Sequence, residues 1–183
     1  SSNGPEVTII DGEGVRRVVQ CSSGETSKTI IEGLTITNGY SELDGGGMYC
    51  NGGDPTVINC TFVNNSASFS GGGMYNHSSS PTLDGCTFNN NIAANSGGGG
   101  MYNYSSSPTL TNCTFTGNYA ILYGGGMRNN AGSNPSLTNC TFTNNFAQFG
   151  GAMDYAADSV PSINNCQLVS NGAYFQAGAI YVG

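Results

Sequence analysis

Short stretches of this chain alternate apolar and polar residues with a period of two, and the alternation breaks at recurring points. In residues 110–116, Leu110 takes an inward phase and Thr111 an outward one. Cys113 and Phe115 then point inward while Thr114 and Thr116 point outward, so the phase slips at Asn112. Period-two alternation marks half-buried strands, and a slip marks a bend. The positions equivalent to Asn112 are Gly33, Asn59, Gly85, Asn139 and Asn165. A column holding only Asn and Gly predicts a left-handed backbone corner. A second such column, read as the second corner, runs through Gly39, Asn65, Asn91, Asn118, Asn145 and Asn171. Two residues beyond it stand Ala67, Ala93, Ala120, Ala147 and Ala173, small enough to tuck inward beside that corner. A glycine run and a third strand follow, with Met inward and the next residue (Tyr49, Tyr75, Tyr102, Arg128, Asp154, Tyr181) assigned to water. No window carries a helical stripe, and Gly and Thr are poor helix formers.

The same phrase returns with a fixed beat. Met48, Met74, Met101, Met127 and Met153 are 26 or 27 residues apart, and Cys60, Cys86, Cys113, Cys140 and Cys166 keep step with them. A period of 20–50 residues marks a solenoid, a propeller or an array, and propeller blades need roughly 40 residues or more. Three short strands in 26–27 residues predict an all-β, single-stranded parallel β-helix of about six to seven coils. Like residues then stack on like, about 4.8 Å apart. One domain, 1–183, is expected: divergent N-terminal coils over 1–44, regular repeats over 45–177, and the start of an incomplete last coil at 178–183. In the divergent part, residues 7–12 read as a strand, Val19 takes the Met place, Leu34 the Cys place and Ile36 the Phe place.

Composition narrows the function classes. Only 8% of residues are charged and the net charge is −7. There is no basic patch to neutralise phosphates, so nucleic acid is not an expected partner. No apolar run reaches the roughly 18 residues of a membrane helix, so this segment is not expected to insert.

Chemistry-bearing residues are few. Catalysis needs positioned acids, bases or cations, yet Asp44, Asp54, Asp84, Asp154 and Asp158 are scattered and His77, the sole histidine, sits in a variable loop. The glycine triplets precede no helix and are not phosphate loops. No enzyme activity and no cofactor are expected, and the metal reading reduces to a weak calcium pair, Asp11 and Glu13. Five cysteines read as a buried, reduced column. Cys21 and Cys50 differ: both stand two residues after the Val/Met position in adjacent coils. That spacing falls within the Cα range of a disulfide, which would suit an extracellular protein. The Asn-x-Ser/Thr triplets are read as a by-product of the corners.

Two outer faces are candidates for contact. Tyr49, Tyr75 and Tyr102 beside flat glycine could stack on sugar rings. Thr35, Thr61, Thr87, Thr114 and Thr141 form one outward column, and a second contains Thr116 and Thr143, broken by Val63, Asn89 and Val169. The Thr-x-Thr arrangement is similar to the Thr ladders of insect antifreeze solenoids, which makes ice a third candidate ligand.

The repeat resembles that of chlamydial polymorphic outer-membrane proteins, which pairs a GGAI-like motif with F-x-x-N. Residues 150–153, Gly-Gly-Ala-Met, and 178–180, Gly-Ala-Ile, are similar to the first; Phe62/Asn65, Phe88/Asn91, Phe115/Asn118 and Phe142/Asn145 match the second, while Leu168/Asn171 departs by one residue. The resemblance implies a right-handed coil, an exported surface location and an adhesive or scaffolding role toward extracellular glycans or cell surfaces. Pectate-lyase-like enzymes share such a fold, but their Lys and Arg clusters have no counterpart among Arg16, Arg17, Lys28 and Arg128. An open coil end offers unpaired backbone groups. The expectation is therefore that Ile180 lies under a covering segment or under another copy of the chain, stacked end to end into a filament.

Overall fold

The structure, a computed structural model, describes residues 4, 8–156 and 158–183. Val7, the start of the first expected strand, lies outside them; the strand itself runs over Ile9–Asp11. One coil shows how the sequence turns. Its strands are Met101–Tyr104, Thr109–Thr111, Thr114–Thr116 and Tyr119–Ala120. Each pairs in parallel with its equivalent one coil away, Met74↔Met101, Leu83↔Leu110, Phe88↔Phe115 and Ala93↔Ala120. Among the described residues two seven-stranded and two six-stranded sheets result. We call them the Met, Leu, Phe and Ala sheets after their inward residues.

Four ladders per coil correct the expected three. The fourth is made of strands such as Ser66–Ala67 and Ile92–Ala93. Two residues are too short to show a period, so the sequence pattern hides them. Their backbone still bonds onward, Ile92 N–H to Asn65 C=O at 2.9 Å and Ala94 N–H to Ala67 C=O at 3.0 Å.

The first corner is as expected: Gly33, Asn59, Gly85, Asn112, Asn139 and Asn165 all have φ between 49° and 62°. The second corner lies one residue earlier than the pattern suggested. Asn38, Asn64, Asn90, Gly117, Asn144 and Ser170 carry the positive φ, while Asn65, Asn91, Asn118 and Asn145 point inward and are fully buried. The reason is hydrogen bonding. Asn91 Nδ2 donates to Asn118 Oδ1 at 3.0 Å and to Phe62 C=O at 3.0 Å, and the Asn91 backbone N–H also donates to Asn118 Oδ1 at 3.0 Å. The same set repeats from Asn65 to Asn171. A buried amide is tolerated only when it is so satisfied.

The core is a bundle of columns. Phe62, Phe88, Phe115 and Phe142 stack with centroids 4.5–4.6 Å apart. Val19, Met48, Met74, Met101, Met127, Met153 and Ile180 stand in one register line. The glycines pinch the coil beside them. A Cβ on Gly99 would lie 2.3 Å from Tyr119 C=O, so the Met and Ala sheets meet there backbone to backbone. The next column holds Gly73, Gly100 and Gly126, where a Cβ would lie 2.8–3.0 Å from Phe88, Phe115 and Phe142 respectively. One coil later Phe142 is succeeded by Leu168, and there the glycine is replaced by Ala152, which is buried. The shorter side chain leaves room for the methyl group.

Ile180 is half-buried against the core, and Val182 beside it is 73% exposed.

Candidate functional surfaces

The Phe sheet presents its outward face as two registered columns. Thr35↔Thr61, Thr61↔Thr87, Thr87↔Thr114 and Thr114↔Thr141 are paired rung by rung, and Thr116↔Thr143 forms part of the second column. All of these threonines are half-exposed. The pleat places the columns on one face, roughly 6.7 Å apart along the strands, with rungs about 4.8 Å apart along the solenoid axis.

The Met sheet differs from what its sequence suggested. Tyr49, Tyr75 and Tyr102 are not an open platform. Their rings stack on each other at 5.6 and 5.2 Å, and Tyr75 and Tyr102 are only 9% and 6% exposed. Two arginines close the stack: Arg17 lies 4.4 Å over Tyr49, and Arg128 lies 5.5 Å over Tyr102 and 4.1 Å over Tyr123. Ring faces that would take a sugar are occupied by other rings and guanidinium groups. Arg17 is fixed in place by donating to Asp44 C=O at 2.7 Å and Gly45 C=O at 2.8 Å. Neither arginine's role was readable from sequence, because Arg17 lies in the divergent first coils and Tyr123, which meets Arg128, lies in a variable segment.

Asp154, also expected in water, is buried one rung from Arg128. Arg128 Nε and Asp154 Oδ2 are 3.2 Å apart, but neither atom has a hydrogen bond. The contact is poorly aligned, so desolvation prevails and pushes the Asp154 carboxyl up to about 6, against a smaller downward pull from the Arg128 charge and its contact.

Asp11 and Glu13 flank an open cleft of about 490 Å³ lined also by Asn38, Tyr40, Asn64 and Ser66. The Asp11 carboxylate is spent on the turn: it accepts from Asn38 Nδ2 at 3.1 Å and from Glu13 N–H at 2.7 Å. Among the described residues no three His, Cys, Asp or Glu side chains assemble into a metal-binding group. His77 sits by Asn51, with Nδ1 and Oδ1 at 3.2 Å, and its ring stacks on Tyr104 at 5.3 Å.

The cysteines divide as their positions imply. Thiols of the long column serve backbone carbonyls, as Cys60 does to Ile58 at 3.3 Å and Cys140 to Thr138 at 3.4 Å. Cys21 and Cys50 are register partners, both buried and both thiols. Their line continues into a second buried amide ladder missed from sequence: Asn76 Nδ2 donates to Asn103 Oδ1, and Asn103 Nδ2 to Asn129 Oδ1, each at 2.9 Å. A column reading Cys50, Asn76, Asn103, Asn129 two places after Met was its only trace.

Parallel ladders, flat stacked sheets and corner asparagines define a parallel β-helix. The model of the family described as right-handed beta helix region matches residues 87–183, over half of the chain. The chain belongs to that family. No curated protein and no solved structure matches it.

Proposed function

We propose that this solenoid is an extracellular structural rod with an adhesive surface and no catalytic role of its own. The observation that supports this is where its polar chemistry goes. Buried amides bond to the same amide in the next coil, from Asn65 through to Asn171. Carboxylates cap loops, as Asp44 does for Ser70 N–H at 3.0 Å. Side chains that would do chemistry in an enzyme hold the rod together instead. The likeness to chlamydial surface repeats adds an exported location. The test has two arms. Beads carrying the protein should adhere to cell-surface or extracellular-matrix material and be displaced by soluble rod. Incubation with pectins and other acidic glycans should yield no new reducing ends or unsaturated products. Turnover in the second arm, or beads that settle no more than albumin-coated ones, would overturn the reading.

A second reading has one observation behind it: the registered, half-exposed threonine columns of the Phe sheet. Ordered hydroxyls at these spacings could hold ice-like water. Thermal hysteresis that disappears in Thr114→Tyr would support ice binding, and freezing behaviour equal to that of a charge-matched control would remove it.

A further inference from the structure

We infer that Cys21 and Cys50 form a redox latch, a disulfide that pins the first strand of the Met sheet to the second under oxidising conditions. This goes beyond the rod reading and does not depend on it. The two residues are direct register partners on adjacent parallel strands, Val19–Cys21 and Met48–Asn51. Neighbouring strands lie about 4.8 Å apart, inside the Cα separation that a disulfide spans. Only 4% of Cys21 and none of Cys50 is exposed, so both residues are shielded from water. The Cys50 thiol is not turned to its other neighbour, since Asn76 Oδ1 is buried with no hydrogen-bond partner.

The long column has the same axial repeat but a different setting. Cys60, Cys86, Cys113 and Cys140 sit beside left-handed corners, with their S–H groups held by carbonyls two residues back. Closing any of those pairs would pull at a fixed corner. Cys21 instead lies on the edge strand of its sheet, paired on one side only, and can shift toward its partner.

The chemistry divides between the two sulfurs. Cys21, on the edge strand and the less enclosed of the two, is the sulfur an external oxidant reaches first, and its thiolate attacks. Given a low-molecular-weight disulfide such as oxidised glutathione, Cys21 forms a mixed disulfide and expels one glutathione thiolate. Cys50, losing its proton to solvent, then attacks the Cys21 sulfur and expels the second. Two protein thiols are oxidised and one glutathione disulfide is reduced to two thiols.

The experiment counts thiols. The reduced chain, unfolded in the presence of an alkylating agent, should take up seven labels, one for each cysteine. After incubation of the folded protein with oxidised glutathione it should take up five, with a peptide pair joining Cys21 to Cys50. Cys21→Ser should show six labels before and after. Hydrogen exchange at residues 19–21 should slow on oxidation and recover with dithiothreitol. Seven labels after oxidation, or a link anywhere else among the cysteines, would overturn the latch.

Discussion

Replacing Asn118 by alanine tests whether the buried amide ladder carries the solenoid's stability. The Asn118 side chain takes part in four hydrogen bonds. Its Oδ1 accepts from the Asn91 backbone N–H and from Asn91 Nδ2, both at 3.0 Å. Its Nδ2 donates to Phe88 C=O at 3.0 Å and to Asn145 Oδ1 at 2.9 Å. Truncation does not strand all four partners. Asn91 Nδ2 keeps Phe62 C=O, and Asn145 Oδ1 keeps the Asn118 backbone N–H. The Asn91 N–H loses its acceptor outright, and Phe88 C=O loses its side-chain donor. At about 1–3 kcal/mol for each buried group left unsatisfied, plus lost contacts around the new void, the expected cost is about 3–5 kcal/mol. Urea unfolding followed by circular dichroism measures it. Hydrogen exchange localises it, with the Asn91 amide the first to lose protection. Asn112→Gly is the control: Asn112 sits at an exposed corner with φ 54°, where the strain glycine relieves offsets the two exposed side-chain bonds it loses, to Asp84 and from Asn139. A loss below about 1 kcal/mol in Asn118→Ala, or equal to that control, would refute the argument.

Asp154 predicts an unusual acid limb. Its carboxyl titrates near 3.8 when unfolded and at about 6 when folded, so between these values the native state holds a proton that the unfolded chain has released. Stability should therefore fall by roughly 3 kcal/mol as pH rises from about 3 to 7, about 2 kcal/mol of it between 4 and 6, and level off above. In Asp154→Asn that limb should be missing from pH-dependent melting, and an unchanged profile would place the titration elsewhere. The pairing of glycine with phenylalanine makes a double-mutant prediction. Gly126→Ala alone should cost about 1–3 kcal/mol through overpacking against Phe142. With Phe142→Leu, which copies the natural Ala152 and Leu168 pair, the added cost of the methyl should shrink by at least 1 kcal/mol; strict additivity would show that the two sites do not touch.

Much of this architecture was legible because solenoids write each contact several times over. The Met, Cys and Phe columns gave strand, direction and register together, and Asn112 and its equivalents gave a corner with the correct sign of φ. The errors came where one pattern had two physical causes. Asn is favoured both at left-handed corners and in buried amide ladders, so the column through Asn118 was assigned one residue away from the actual bend at Gly117. Tyrosine in an outward phase implied exposure, yet stacked rungs turn an outward ring toward its own copies and bury it. Arg128 stands in the tyrosine column itself, but its reach to Tyr123 follows no period, and Arg17 comes from the divergent first coils. The resemblance to chlamydial repeats bears on the coil, which the family match supports; it does not identify a ligand.

The buried amides also give the rod a direction. Every Nδ2 from Asn65 to Asn145 donates toward the coil that follows it, so the amide dipoles add instead of cancelling. Each coil presents an acceptor to the coil before it and a donor to the coil after it. A duplicated coil would therefore fit between any two regular neighbours without a new interface, whereas an insertion within a strand or corner would break the line. Tandem duplication of one period is then the natural currency of change for this sequence: rod length can drift by whole rungs while the chemistry of each rung stays fixed.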